Sequence, residues 1–429
     1  TFVHSKLSVT ADRVVVVGWD CASPWLVFDR FAASLPRLHG LATQGFAGPL
    51  RSCHPPITVP AWMCMATGSD AGEHGVYGFR CAVPGEPGQL RLTDSTSFLG
   101  RRPVWERLAQ RGMTSHVVGL PGTWPTSDPR VVPGILTPHD HPGPTPAYRF
   151  DVADFRDLDP FDLIREVTHM TVARFDHVEE LAARDDWNLL WVVEIGLDRL
   201  HHALWHHVDP THPRYTGDTA LAGALEAYYG LLDSRLGRLL DALDDGETAF
   251  VVVSDHGARP MHGGFRLNEW LRRRGWLALQ DEPAHSIPTD AAKVDWDRTR
   301  AWTTGGYCGR VYLEDPDPVF ALEVAAALRA IEGPDGQPLG VDVHDAATLW
   351  PVRRGRAPDL VAYLEDLDYR CLGSVGPGPL YEDANDTGPD AANHDWEGIV
   401  VAGGAQIGAE DAPRSLLQVS DWLESVLGL

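Results

Sequence analysis

The chain has no apolar stretch that approaches the ~20 residues a membrane span requires. Its longest runs, such as Val14–Val17 and Leu189–Val193, are the length of a strand, so no membrane partner is expected. The stretch Thr1–Arg13 lacks the apolar centre of a secretory signal. Cysteine is scarce: six residues (Cys21, Cys53, Cys64, Cys81, Cys308 and Cys371) are scattered without a CxxC pair. In a chain this long they read as reduced, buried thiols, and a cytoplasmic location is expected. Positive charge is also in short supply, with 36 Lys and Arg against 60 Asp and Glu, a formal net charge of −24. A binder of duplex nucleic acid shows the opposite sign. The acidity by itself reads as solubility. An acidic protein that handles an anionic substrate needs a local positive centre, and bound metal ions are the simplest one.

What is present is an ordinary globular composition, 44% hydrophobic over 429 residues, enough for one large domain or two smaller ones and without an internal repeat. Strand and helix signals alternate. Arg13–Gly18 is a continuous β-branched run of the kind found in buried parallel strands, and Trp25–Gln44 follows with helical spacing. Ser115–Gly119, Leu189–Ile195, Ala249–Ser254 and Ile399–Ala402 are further strands. Pro103–Arg111 and Thr219–Leu243 are helices. Strands separated by helices predict an α/β sheet covered on both faces. Pro133–Pro146 and Gly373–Asp390, rich in Pro, Gly and Asp, read as loops. About 259–392 carries its own helices (Leu267–Arg274, Val319–Ile331) and strands (Arg310–Leu313, Leu360–Tyr363), and reads as an inserted subdomain.

Four segments beside these strands hold metal-ligating side chains. VVVVGWD runs straight into Asp20. GLDRLHHALWHH places Asp198 and His202 four residues apart, on one face of a helix. VVVSDHG puts Asp255 and His256 side by side, with Gly257 suited to a sharp turn. ANHDWEGIVVAGG places His394 just before a strand. Each segment alone has an ordinary structural explanation, a cap, a turn or a loop histidine. His201, His206 and His207 read as packing or surface residues. Together the four supply the carboxylate and imidazole donors that zinc and similar ions take, at the strand ends where open α/β sheets bind ligands. HPPITVPAWMCMATG adds Thr58, a hydroxyl held between prolines, which metal coordination would activate as a nucleophile.

In this order and context the residues resemble the alkaline phosphatase superfamily, and within it the type I phosphodiesterase and nucleotide pyrophosphatase branch. The resemblance also rests on AWMCMATGSDAGEHGVYGF after Thr58, SDHG followed by LNEWLRRRGWL, VVGLPGTWP and GILTP, so it covers nearly the whole chain. It implies an alkaline-phosphatase-like three-layer sandwich with a mainly parallel central sheet, formed by one catalytic domain with the insert as a cap. It implies two divalent ions, zinc being expected and manganese or iron the alternatives. Asp20, Asp255, His256 and Thr58 would hold one ion and Asp198, His202 and His394 the other. The implied activity is hydrolysis of a phosphate ester or phosphoanhydride through a phospho-threonine, on a small phosphorylated substrate such as a nucleotide.

Relatives in that branch place an Asn about twenty residues after the nucleophile. Here the neighbourhood reads Tyr77, Gly78, Phe79, Arg80, with no Asn, and Arg80 is a candidate substitute contact for phosphate. Phe79 and His262 are further candidate substrate contacts. The chain also lacks the Cys-x-Pro-x-Arg context of the sulfatases, which excludes formylglycine chemistry. A phosphomonoesterase, a phosphonate hydrolase and a non-catalytic binding protein that kept the fold are the alternatives.

Overall fold

The computed structural model describes residues 11–429 except 185, 244, 316, 387, 406 and 409–411. Most of the stretch read for a secretory signal, residues 1–10, lies outside the described residues.

The valine-rich run near the N-terminus is strand β1 (Arg13–Trp19), at the centre of a seven-stranded sheet. The other strands are β2 (Phe46–Arg51), β3 (Ser115–Leu120), β4 (Val131–Pro133), β5 (Leu189–Glu194), β6 (Thr248–Val253) and β9 (Glu397–Gly404), in the order β2-β9-β6-β1-β5-β3-β4. From β6 to β4 all neighbours are parallel, while β9 and β2 close the other edge antiparallel. Such buried strands are apolar on both faces because both faces are covered. Val15, Val17, Leu190, Val192 and Val252 face helices α2 (Pro160–Ala182), α3 (Gly196–Val208) and α4 (Thr219–Leu243). Val14, Val16, Trp191, Val193 and Val251 face α1 (Thr58–Thr67) and α5 (Leu416–Val426). Each such side chain contributes roughly 1.5–3 kcal/mol by leaving water. The result is the expected three-layer α/β sandwich.

A two-stranded ribbon stands outside this sheet. β7 (Gly257–Pro260) pairs antiparallel with β8 (Ala392–Asp395), His394 opposite Ala258. This ribbon is where residues 261–391 leave and rejoin the sheet. They carry their own four-stranded antiparallel sheet (Ala301–Thr303, Gly309–Leu313, Leu360–Tyr363, Asp342–Asp345) and a separate apolar cluster around Trp270, Trp302 and Phe320. The hairpin Arg80–Ala82/Leu90–Leu92 lends Ala82 and Leu90 to that cluster.

Local expectations needed correction in three places. Trp25–Gln44 is not one helix. It breaks into short turns over Leu26–Arg30 and Ala32–Ser34 and a helix over Pro36–Ala42, because Pro36 has no N–H to continue a helix from before it. The long helix α2 escaped notice: its many charged residues dilute the apolar stripe formed by Leu163, Val167, Met170 and Phe175. Gly257 makes no sharp left-handed turn. It begins β7, and a Cβ there would lie 2.2 Å from the Glu397 carbonyl oxygen, so glycine is required by close approach of two backbones.

Candidate active site

The ends of the parallel strands place the chemistry. Asp20 follows β1, α3 begins just beyond β5 and carries Asp198 in its first turn, and Asp255 and His256 follow β6. His394 arrives on β8 from the far side of the insert. Thr58 is the first residue of α1, so its hydroxyl sits at a helix N-terminus, where the unpaired N–H groups and the helix dipole favour negative charge. These six side chains, and His202 one turn further along α3, are buried.

The structure brings them together. The Thr58 Oγ1 is 3.3 Å from His256 Nε2. That nitrogen is 3.2 Å from Asp255 Oδ2 and 3.8 Å from Asp20 Oδ1. Beside it, Asp198 Oδ1 lies 3.3 Å from His202 Nε2 and 3.4 Å from His394 Nε2. The donor atoms of Asp198, His202 and His394 fall within 4.8 Å of one another, as do those of Asp20, Asp198 and His256. Asp198 therefore borders both halves. The imidazoles of His256 and His394 stack at 3.6 Å.

These donors fit divalent cations. Asp20 Oδ1, Asp198 Oδ1, Asp255 Oδ2 and His394 Nε2 are buried and have no hydrogen-bond partner among the described residues. Buried carboxylate oxygens are costly unless something positive meets them. Burial, then the charges of Asp255 and Asp198, push the Asp20 carboxyl well above its usual range. Burial also raises Asp255. Burial pushes Asp198 up too, but His202, His394 and Arg199 outweigh it and hold that carboxyl well below its usual range. Burial holds His256 well down and His394 down to about 4, so both imidazoles are neutral, as ligands must be. The cluster is short of positive charge, and two cations would correct that.

A supporting shell fixes the donors. The Trp62 Nε1 donates to Asp20 Oδ2 at 2.6 Å, and the Cys21 amide to Asp255 Oδ1 at 3.3 Å. Gly18 makes room for the Trp62 ring, since a Cβ would lie 2.4 Å from it. His394 Nδ1 lies 2.8 Å from the Pro56 carbonyl and His256 Nδ1 3.0 Å from that of Gly257, which leaves each Nε2 free to bind. Arg199 donates to Asp198 at 2.7 Å and to both oxygens of Asp151. Asp390 receives His202 Nδ1 at 2.8 Å and is itself held by Arg370 and Asn385. Asp390, Arg199 and Trp62 went unrecognised as supporting residues because they act through other side chains, and their spacing in the chain carries no pattern. Asp390 sits in a segment read only as a loop.

The three expected substrate contacts are placed differently. Phe79 is half-buried and packs at the meeting point of three small apolar clusters, with Ile57, Val59 and Ile195. Arg80 is exposed, 3.6 Å from Asp290 of the insert. His262 lies 3.8 Å from both Glu365 and Asp368. No hydrogen bond or ion pair among the described residues joins Arg80 or His262 to the cluster around Thr58. His201 is buried against Tyr229 and Trp205, a packing residue as expected. The Pro133–Pro146 segment contributes His139 and His141 to a cavity of about 350 Å³. Asp151, the partner of Arg199, is among the residues that line it.

A mainly parallel sheet with this donor cluster at its strand ends defines a metal-dependent phosphohydrolase of the alkaline phosphatase type. The chain matches the family model described as type I phosphodiesterase / nucleotide pyrophosphatase over residues 14–390, and it belongs to that family, whose members are metal-dependent hydrolases of phosphoester or pyrophosphate bonds. His394 lies just beyond the matched residues and is supported by geometry. No curated protein matches the chain in sequence. Similar solved structures include murine ectonucleotide pyrophosphatase / phosphodiesterase 5, an inactive form in complex with AMP, at 16% identity and TM-score 0.59, covering 97% of this chain and 95% of that one. Phosphonoacetate hydrolase from Sinorhizobium meliloti in complex with phosphonoformate is similar at 16% identity and TM-score 0.63, covering 98% and 96%. The human ectonucleotide pyrophosphatase / phosphodiesterase 5 follows at 15% and 0.56, covering 97% and 95%.

Proposed function

We propose that the protein is a two-metal phosphodiesterase or nucleotide pyrophosphatase-like hydrolase that works through a phosphorylated Thr58. The observation that carries this reading is the Thr58 hydroxyl at the N-terminus of α1, 3.3 Å from His256 and beside unpartnered carboxylate oxygens. Asp20, Asp255 and His256 would hold one ion with Thr58, and Asp198, His202 and His394 the other; zinc fits the mixed nitrogen and oxygen donors, as do manganese and iron. When bound, such ions supply the charge that makes a hydroxyl nucleophilic and polarises a phosphoryl group.

The chain's own part is positioning. The start of α1, with Pro55 and Pro56 just before it and Pro60 in its first turn, aims Thr58 Oγ1 at a phosphorus held against the helix N-terminus. Phosphorus–oxygen bond formation at Thr58 expels the leaving group, and water then cleaves the phospho-threonine. Burial of the whole cluster keeps other water away. The insert 259–392 would shape the pocket. The six cysteines, all buried and free, support a reducing, cytoplasmic setting.

Thr58→Ala should abolish turnover of an aryl phosphodiester, Thr58→Ser should keep part of it, and a rapidly quenched reaction should carry phosphate on the peptide containing Thr58. Full activity in Thr58→Ala, or metal-free protein that turns over normally, would sink the proposal. A phosphonate hydrolase is the second reading, supported by the similarity to phosphonoacetate hydrolase; release of phosphate from phosphonoacetate would favour it.

A further inference from the structure

The Asn that the branch places after its nucleophile is missing here, and a different polar group stands at the other half of the cluster. Tyr307 comes from the insert, delivered by a turn in which Gly305 and Gly306 both take positive φ (69° and 105°) and Gly306 bridges to Cys371. Its ring stacks on His394 at 3.6 Å. The guanidinium of Arg370 covers the ring at 4.0 Å. The phenol oxygen lies 3.3 Å from His202 Nε2. The side chain is buried, 8% exposed.

The tautomer of His202 gives this contact its meaning. Its Nδ1 faces the Asp390 carboxylate at 2.8 Å and the Ala392 carbonyl at 3.2 Å, so Nδ1 carries a proton and Nε2 is the nitrogen that a metal would take. The Tyr307 hydroxyl stands within hydrogen-bond distance of that nitrogen, which also lies 3.3 Å from Asp198 Oδ1. With Nε2 committed to a metal, the phenol cannot pair with it, and its O–H is left to face an oxygen bound beside the Asp198, His202 and His394 centre. Ring stacking on one side and Arg370 on the other leave the hydroxyl little freedom to point elsewhere.

Resting on the reading of Thr58 as nucleophile and of these three residues as the second centre, we propose that Tyr307 is a catalytic hydrogen-bond donor to the departing oxygen of the substrate. It stabilises the charge that develops there as the phosphorus–oxygen bond breaks. A neutral donor fixed beside the developing charge pays no reorganisation cost during the step.

The test uses Tyr307→Phe, which keeps the stack on His394 and removes only the hydroxyl. Wild type and variant are compared on methyl aryl phosphodiesters with leaving groups of graded basicity, with bound metal measured on the same samples. The expected result is unchanged metal content, a fall in kcat on the order of a hundredfold for the poorest leaving group, and a much smaller fall for 4-nitrophenolate. A uniform loss across the series, no loss, or loss of metal would overturn the inference while leaving the role of Thr58 standing. A metal-loaded wild type that cleaves none of the diesters would overturn the phosphodiesterase reading and the role of Tyr307 with it.

Discussion

Asp390 makes the sharpest demand on the proposed centre, because it touches no substrate and no donor atom yet should control metal affinity. Its carboxylate is fully buried and takes the Nδ1 proton of His202 at 2.8 Å. His202, Arg370 and Arg156 outweigh the effect of burial and hold this carboxyl well below its usual range, so it is charged throughout the physiological span. Asp390→Asn keeps the shape and removes the charge. A hydrogen bond to a charged group contributes about 1.5–3 kcal/mol and a neutral one about 0.5–1.5, so the change costs roughly 1–2 kcal/mol at His202. If the metal-bound state carries that loss, affinity falls about five- to thirtyfold, overlapping the range seen when such supporting partners of metal ligands are removed. The assay is competition for zinc against a chromophoric chelator, with unfolding of the metal-free protein measured in parallel, because Arg370 also loses its countercharge and the fold will weaken. Asp151→Asn is the comparison: it acts on Arg199, one side chain further from the donors, and should shift affinity less. Equal zinc affinity in Asp390→Asn and wild type would refute the assignment of Asp390 as the residue that orients His202.

Other outcomes follow from the same coordinates. Burial drives the His74 imidazole from its ordinary 6.5 down to about 3. The unfolded chain therefore takes up the proton first: this contribution is complete above about pH 6.5 and is lost as pH falls toward 3. It should amount to about 2 kcal/mol between pH 7 and pH 5; urea titrations of wild type and His74→Asn should show the smaller pH slope in the variant, and identical slopes would contradict the assignment. Gly18→Ala pushes a methyl to 2.4 Å from the Trp62 ring, and should cost about 1–3 kcal/mol of stability. Because Trp62 also holds Asp20, kcat should drop in protein that is still folded, and a destabilised variant with normal kcat would argue against that coupling. Removing metal with a chelator should lower the melting temperature and restoring zinc should recover it, by about 4 kcal/mol when zinc is at a thousand times its Kd; a melting temperature indifferent to metal would count against a metal centre at these residues.

Much of the fold was legible along the chain. The valine runs of β1, β5 and β6 are apolar on both faces because both are covered, and that leaves a signal no surface strand gives. The donors were legible in the same way, since Asp20, Asp198, Asp255 and His256 each follow a recognisable strand within a few residues. Amphipathic charge hid α2, and Pro36 broke a helix whose apolar spacing looked continuous. Asp390 and Tyr307 were invisible for a different reason: one lies in a segment read as loop, the other behind two glycines, and neither has a neighbour in the chain that announces its role.

The sequence by itself determined the layers, the order of the elements and the types of donor available, because strand and helix periodicity and local chemistry are properties of short segments. Only the tertiary structure decided which donors meet. Asp198 and His202 share a helix turn, but His394 reaches them across 192 residues of sequence, through a ribbon that closes the insert. Which histidine nitrogen is free to bind, which carboxylate stays unpaired and where the Tyr307 hydroxyl points depend on contacts of 3–4 Å between distant segments. Burial then gives those contacts their energy, since the same carboxylates in water would need no cation at all.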